Sequence, residues 1–362
     1  MKKRYAPLAV IFFACAAIAQ EQKVSFLFAG DAMQHKIQLD AAKTNAGYDY
    51  SPYFKYVADE IKQADIAVVN LETTLPGQKY TGYPQFGSPD EYACALKNAG
   101  FDIFLLSNNH ILDKGRKGLE RTIAVLDSIK VKHTGVFVNE EKRSLYYPLM
   151  MIKNGIRIAM LNYTYGTNGY TAAKPNIVNY IDRKQILKDI EQAKAMKADI
   201  IVANMHWGAE YVLKHNKAQK ELADFLVRNG VRLVIGGHPH VVQPVDIQKD
   251  GDNIKSIVVY SMGNLISAMK PVNTTGGMMV KIDIGKNGND PVKIDSCSYS
   301  LVWVNKPMKD KDTPAFFELL PVASFDNEAG KEKLGEESFR KMQTFATNAK
   351  NAIGSLWAKG QP

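Results

Sequence analysis

Five short apolar runs in this chain each stop at residues able to bind a cation, and no other feature constrains the fold as tightly. Val24–Ala29 ends at Gly30-Asp31, Ile66–Asn70 runs on to Glu72, and Phe101–Leu106 enters Ser107-Asn108-Asn109-His110. Ile200–Asn204 enters Met205-His206-Trp207-Gly208, and Val231–Ile235 enters Gly236-Gly237-His238-Pro239-His240. The runs are continuous rather than alternating, which marks strands covered on both faces, as in an α/β sheet. Between them, Tyr53–Gln63, Asp90–Asn98, Gly118–Lys130 and Asn216–Asn229 carry helical periodicity, and Gly100 supplies a stop after the second of these.

The rest of the chain extends that plan with antiparallel strands. Tyr147–Ile152 and Arg157–Asn162 flank Asn154-Gly155, a strong hairpin signal. After His240 the pattern is mostly β: Pro244–Gln248, Ile254–Tyr260, Met278–Ile284 and Lys293–Val304, with a turn expected at Asp250-Gly251. The expected architecture is α/β, with two facing sheets flanked by helices. Pro307–Pro314 reads as a loop, and Glu328–Lys359 as an amphipathic helix with Phe339, Met342, Phe345 and Ala349 on one face.

The start of the chain reads differently. Lys2, Lys3 and Arg4 precede an apolar run, Ala6–Ala19, that ends in the small-x-small pattern Ala17-Ile18-Ala19. This is the pattern of a bacterial secretory signal cleaved after residue 19, and the run is short for a membrane span. Phe12-Phe13-Ala14-Cys15 is a loose match to a lipid-attachment site at Cys15, the minority reading. The expected division is a signal over 1–19, one domain over 20–305 and a loop-plus-helix extension over 306–362. Without Lys2, Lys3 and Arg4 the formal charge falls by three, from +9 to +6. A mildly basic exported chain suits an anionic substrate or surface, although solubility alone explains it equally well. No basic tract points to nucleic acid. Cys94 and Cys297 lack metal-ligand spacing; a disulfide between them is possible in an exported chain but is not the favoured reading.

Ligands in α/β sheets bind at the carboxyl ends of parallel strands. Asp31, Glu72, Asn109, His206, His238 and His240 all fall at such ends. Each has a bland alternative: Asp31 as a turn or helix cap, Glu72 as a loop group, Asn109-His110 as a helix start, His206 as a satisfied half-buried ring. Their conjunction on one sheet edge, with two histidines in the single tight loop His238-Pro239-His240, favours a metal site. A donor set of imidazoles, carboxylates and an amide oxygen, with no thiolate, suits Mn, Fe or Zn better than Mg. His110, beside a ligand candidate, and Glu210 are the candidate acid/base groups, Glu210 being equally readable as a surface carboxylate. No Gly-x-Ser-x-Gly elbow, P-loop or Gly-x-Gly-x-x-Gly is present, which removes the serine-hydrolase and nucleotide-fold readings.

Taken in order, Gly30-Asp31, Asn70-Leu71-Glu72, Ser107-Asn108-Asn109-His110, His206-Trp207-Gly208-x-Glu210-Tyr211, Gly237-His238-Pro239-His240 and Tyr260-Ser261-Met262-Gly263-Asn264-Leu265 resemble the CapA family of poly-γ-glutamate capsule synthesis proteins, over roughly residues 24–285. That family is similar in fold to calcineurin-like metallophosphatases. The resemblance implies a β-sandwich flanked by helices with a metal centre at the strand ends. In it Asn109 matches the asparagine ligand, His110 the neighbouring catalytic histidine, His206 the lone later histidine, and His238 with His240 the Gly-His-x-His pair. Two departures stand out. Metallophosphatases begin with Asp-x-His, whereas Ala32-Met33 follows Asp31 here, and Glu72 stands where a bridging Asp is expected. His35 could substitute, two residues out of place. The lost ligand points to one metal rather than two.

Two functions remain open from sequence. One is an exported metal-dependent hydrolase acting on a γ-glutamyl amide or phosphoester of an anionic cell-envelope polymer. The other is a non-catalytic protein that assembles or anchors such a polymer, a role the Tyr163, Tyr165 and Tyr170 segment suits equally well.

Overall fold

The computed structural model describes residues 21–306 and 316–354. The signal reading with Cys15, the Pro307–Pro314 loop and the last residues of the expected C-terminal helix lie outside those residues.

Among the described residues the sheet has fourteen strands. In chain order they are β1 Gln22–Ala32, β2 Ile66–Leu71, β3 Ile103–Leu105, β4 Lys132–Thr134, β5 Leu149–Lys153, β6 Ile156–Thr164 and β7 Ile200–His206. Then follow β8 Leu233–Gly237, β9 Val245–Asp250, β10 Asn253–Val259, β11 Asn264–Ile266, β12 Gly276–Lys286, β13 Lys293–Asn305 and β14 Glu318–Pro321. The order across the sheet is β4-β3-β2-β1-β12-β13-β10-β8-β7-β6-β5, with β9 on β10, β11 on β1 and β14 on β13. It contains two parallel runs, β4-β3-β2-β1 and β6-β7-β8-β10. Between them β13 meets β10 at the single pair Ile254–Ile294, where one half of the sheet turns to face the other.

A central core fills the space between the halves. Phe26, Phe28, Val68 and Ile103 come from one side, and Ile158, Val202, Ile235 and Ile257 from the other. Helices cover the outer faces. Helices α1 (Asp90–Ala99) and α2 (Gly115–Ser128) bury Tyr92, Leu96, Leu119 and Leu126 against Leu27, Val69 and Phe104. Helices α3 (Arg183–Ala195) and α4 (Lys217–Arg228) bury Ile186, Ile190, Leu222 and Leu226 against Leu161, Ala203 and Val234. Strands sandwiched this way have no wet face, hence their uninterrupted apolar sequences. Helix α5 (Glu328–Ile353), bent at Gly335, packs Phe339, Met342, Phe345 and Ala349 into the central core.

Turns and caps follow local chemistry. The β5–β6 hairpin places Asn154 and Gly155 at φ 48° and 83°, the two left-handed positions a tight hairpin requires. Asn216 caps α4 by accepting from the Gln219 amide at 2.9 Å.

Two expectations need correction. Tyr53–Gln63 is not one helix: Ser51–Phe54 is a 3₁₀ turn, and the α-helix proper is Ala58–Lys62. Tyr53 is held by its hydroxyl to the Gln38 carbonyl at 2.7 Å, and Val57 at φ −115° separates the two pieces. Helix α3 has no counterpart in the sequence reading. Its buried stripe is Ile186, Asp189, Ile190 and Ala193, and the acidic member hides the apolar face. Asp189 is buried because Arg143 pairs with it at 2.8 Å and the Tyr163 hydroxyl donates to it at 2.8 Å. Cys94 and Cys297 are unpaired thiols.

Candidate metal centre

The two parallel runs deliver their carboxyl ends to one place. Strand β1 pairs Asp31 with Asn70 of β2 and Asn264 of β11, while β7 pairs His206 with Gly237 of β8. Asp31, Glu72, Asn109, His206, His238 and His240 are therefore neighbours, and each is at most 3% exposed.

Asp31 is fixed from three sides. Its Oδ1 accepts from Asn70 Nδ2 at 2.8 Å, and its Oδ2 accepts from the His238 backbone N–H at 3.1 Å. His240 Nδ1 lies 3.2 Å from the same Oδ2. Burial pushes the Asp31 pKa up, but His240 and the Asn70 amide outweigh it and hold the carboxyl well below the usual range. Close approach of the loop to Asp31 requires Gly237, because a Cβ there would sit 2.8 Å from Asp31 Oδ1.

Glu72 is the centre of the cluster. His206 Nε2, His240 Nε2 and His110 Nε2 surround its Oε1 at 3.7, 3.8 and 4.0 Å. Yet Oε1 has no hydrogen-bond partner, although it is fully buried. Burial, then the charges of Asp31 and Glu210, drives the Glu72 pKa well above the ordinary carboxylate value. A buried carboxyl oxygen surrounded by imidazoles yet without a hydrogen-bond partner is an uncompensated site.

The histidine tautomers sharpen this. His240 Nδ1 faces two acceptors, Asn264 Oδ1 at 3.0 Å and Asp31 Oδ2 at 3.2 Å, so it carries the hydrogen. Its Nε2 lone pair is then left toward Glu72. His110 Nδ1 is engaged by Asp113 Oδ2 at 2.7 Å, which leaves its Nε2 lone pair on the Glu72 side as well. His206 Nε2 lies 2.8 Å from Asn109 Oδ1. His238 Nδ1 is buried without a partner. Burial, then the neighbouring His240, lowers the His238 pKa to about 3; burial, then His238, takes His206 well below the imidazole range, so both rings are neutral. His238 and His240 hold positive backbone φ of 96° and 57°, a strained loop that aims both rings at the same spot.

Two overlapping donor sets result: Glu72 with His238 and His240, and Asp31 with Glu72 and His206, the ligand atoms of each set lying within 4.8 Å of one another. Orphaned Glu72 Oε1 and His238 Nδ1, together with a set made of imidazoles and carboxylates, fit a divalent cation.

The acid/base candidates fall in different settings. His110 sits at the edge of the cluster with Asp113 behind it and the Phe86 ring in a T-shaped contact, centroids 4.6 Å apart. Glu210 is not drawn into the cluster. It is exposed on a turn ahead of α4, near enough to influence Glu72 and Tyr165 electrostatically. His35 stands apart from both donor sets: it precedes the helix Lys36–Ala42, and its Nδ1 accepts from the Ala268 amide at 3.2 Å.

Several residues at the site were not assigned roles from sequence. Asp113 follows His110 by three residues, and that spacing is the one signal that could have found it. Asn264 lies in the Met262-Gly263-Asn264-Leu265 motif, and Asn168 lies in the loop after β6. Tyr165, which the sequence offered for polymer binding, is about half exposed and lays its ring 4.4 Å from His238.

A model of the family described as "Bacterial capsule synthesis protein PGA_cap" matches residues 25–269, more than half of the chain. The chain belongs to that family. Relatives include "Capsule biosynthesis protein CapA" of Bacillus anthracis, 29% identical over 74% of this chain and 66% of that protein. "PGA biosynthesis protein CapA" of Bacillus subtilis is 27% identical over 73% of this chain and 69% of its own length. The matched part thus spans about two thirds of these relatives. Among solved structures, NAD nucleotidase (NadN) of Haemophilus influenzae superimposes over 92% of this chain and 64% of its own, with TM-score 0.50 and 12% identity. At that identity the likeness is one of fold alone. Every residue named at the centre falls within the family match, Asn264 five residues from its end.

Proposed function

We propose that this member of the PGA_cap family is an exported metal-dependent hydrolase acting on an anionic cell-envelope polymer, at a γ-glutamyl amide or a phosphoester bond. The observation that carries the reading is Glu72: a fully buried carboxylate with a free oxygen, facing three imidazoles at 3.7–4.0 Å. Glu72, His238 and His240 would hold one divalent ion, with Asp31, His206 and Asn109 alongside. A bound Mn, Fe or Zn ion supplies Lewis acidity toward a carbonyl or phosphoryl oxygen and lowers the pKa of water. The protein's own contribution is orientation and proton handling. Asp113 fixes the His110 ring so that Nε2 points inward, where it can give a proton to a leaving amine or alkoxide or take one from water. Tyr165 and Tyr211 stand at the opening, beside His238 and His240, and can flank the polymer.

The names of the Bacillus relatives, both of capsule or polyglutamate biosynthesis, support a γ-linked glutamate polymer as the substrate class. The basic start and apolar run of residues 1–19 support export, with lipid attachment at Cys15 as the variant of that route. The test pairs metal analysis with turnover. Purified protein loaded with Mn, Fe or Zn is assayed on γ-glutamyl oligomers and on phosphoesters, beside His238→Ala and His110→Asn. Metal-dependent cleavage of either class, lost in both variants, supports the reading. Metal binding without turnover on either class overturns the enzyme and leaves the assembly role. Cell fractionation tests export, which retention in the cytoplasm would contradict.

A further inference from the structure

A carboxamide presents an oxygen on one side and an NH₂ on the other in nearly the same shape, and only hydrogen bonding decides which end faces a given direction. Asn109 has this ambiguity at the most sensitive point of the centre. Its oxygen can bind a cation and its nitrogen cannot. In the structure Oδ1 points to His206 Nε2 at 2.8 Å, on the side of Glu72. The opposite end, Nδ2, donates to Asn168 Oδ1 at 3.2 Å. Asn168 Nδ2 also lies 3.4 Å from His110 Nδ1, but Asp113 already engages that nitrogen at 2.7 Å; besides Asn168, the Tyr165 side chain hydrogen-bonds Asn109.

Asn168 comes from the carboxyl end of β6, a strand that supplies none of the candidate metal ligands. It sits on the exposed loop after β6, in the left-handed conformation at φ 50°, between Gly166 and Gly169. The loop is tied down just ahead of it. The Tyr165 amide donates to the His206 carbonyl at 2.9 Å, the Tyr165 ring lies against His238, and the Thr167 and Tyr180 hydroxyls meet at 2.9 Å. These contacts place the Asn168 side chain over a buried partner that is 1% exposed.

The geometry points to Asn168 as a positioning residue that fixes the flip state of Asn109 and so keeps its oxygen available to the metal. This rests on the metal-centre reading above. Groups behind a metal ligand, when removed, typically cost 10–100-fold in metal affinity. The inference has a specific signature. An aspartate at 109 offers an oxygen at either end, so it has no wrong orientation and needs no partner to hold it.

The experiment is a double-mutant cycle on the full-length protein, with Mn²⁺ or Zn²⁺ affinity read by calorimetry or chelator competition and folding checked by thermal melts in chelator. Asn168→Ala is expected to weaken binding about 10–100-fold, while Asn168→Asp, which keeps the acceptor, stays within a few-fold of wild type. In an Asn109→Asp background, Asn168→Ala is expected to change affinity little. An undiminished loss in that background, or no loss from Asn168→Ala in the wild-type background, overturns the proposal. Asn109→Ala separates the two levels. If it leaves metal affinity intact, the place of Asn109 in the metal centre falls and this inference falls with it. If it weakens binding while Asn168→Ala does not, only the role given to Asn168 fails.

Discussion

Replacing Glu72 by glutamine should move stability in opposite directions with and without metal. In the metal-free protein Glu72 is buried, its Oε1 has no donor, and its pKa is raised well above 4.5, first by burial and then by Asp31. For an acid whose folded pKa is raised, the folded state binds the proton more tightly than the unfolded one. Stability is therefore full below the unfolded value and is lost as pH rises toward the folded value. At neutral pH the side chain thus costs folding energy in one protonation state or the other. Glutamine removes the charge, keeps the shape, and can donate to His240 Nε2, whose lone pair lies 3.8 Å from Glu72 Oε1. Relief of one unsatisfied buried group amounts to about 1–3 kcal/mol. For a chain of this size that raises Tm by about 1–4 °C. With a divalent ion present the sign reverses, because glutamine removes the carboxylate common to both donor sets. Thermal melts of wild type and Glu72→Gln, in chelator and then with Mn²⁺ or Zn²⁺, read both signs. A variant no more stable than wild type in chelator, with an unchanged metal-induced rise in Tm, would refute the reasoning.

Three further outcomes follow from the same geometry. His238 is held neutral with its pKa lowered from 6.5 to about 3, so its contribution to metal-free stability is complete above pH 6.5 and is lost as pH falls toward 3; a His238→Ala protein in chelator should show a shallower acid decline, and an identical decline contradicts the assignment. Arg143→Leu leaves Asp189 charged and 1% exposed without its partner, which should cost about 3–5 kcal/mol in urea denaturation, whereas a loss under 1 kcal/mol would show the pair to be dispensable. Asp113→Asn should lower kcat about 10²–10⁴-fold through His110 while metal content stays unchanged, and a fall in bound metal instead would make Asp113 a structural support of the centre.

Much of the fold was legible because burial on both faces writes itself into sequence as unbroken apolar runs. β1, β2, β7 and β8 are such runs, and the residues that end them are those the structure gathers. Helix α3 was hidden because Asp189 occupies its buried stripe, and no local pattern reveals that Arg143, 46 residues earlier, neutralises it. The Tyr53–Gln63 segment carries helical spacing, but the anchoring of Tyr53 to Gln38 breaks it. At the site, the strand-end residues Asp31, Glu72, Asn109, His206, His238 and His240 could be read because topology alone brings strand ends together. Asp113, Asn264 and Asn168 could not be weighted, because their importance lies in which atom of a neighbour they hold, and that depends on side-chain geometry. Glu210 shows the converse: its sequence neighbourhood suggested an acid/base role, but the turn ahead of α4 leaves it exposed outside the cluster.

The most direct test is anomalous diffraction from crystals grown with Mn²⁺ or Zn²⁺, measured on both sides of the metal edge. The account expects a strong peak within about 2.0–2.3 Å of Glu72, His238 and His240 donor atoms. A structure at high metal concentration with no peak between these residues, and Glu72 hydrogen-bonded instead to a histidine, would contradict it.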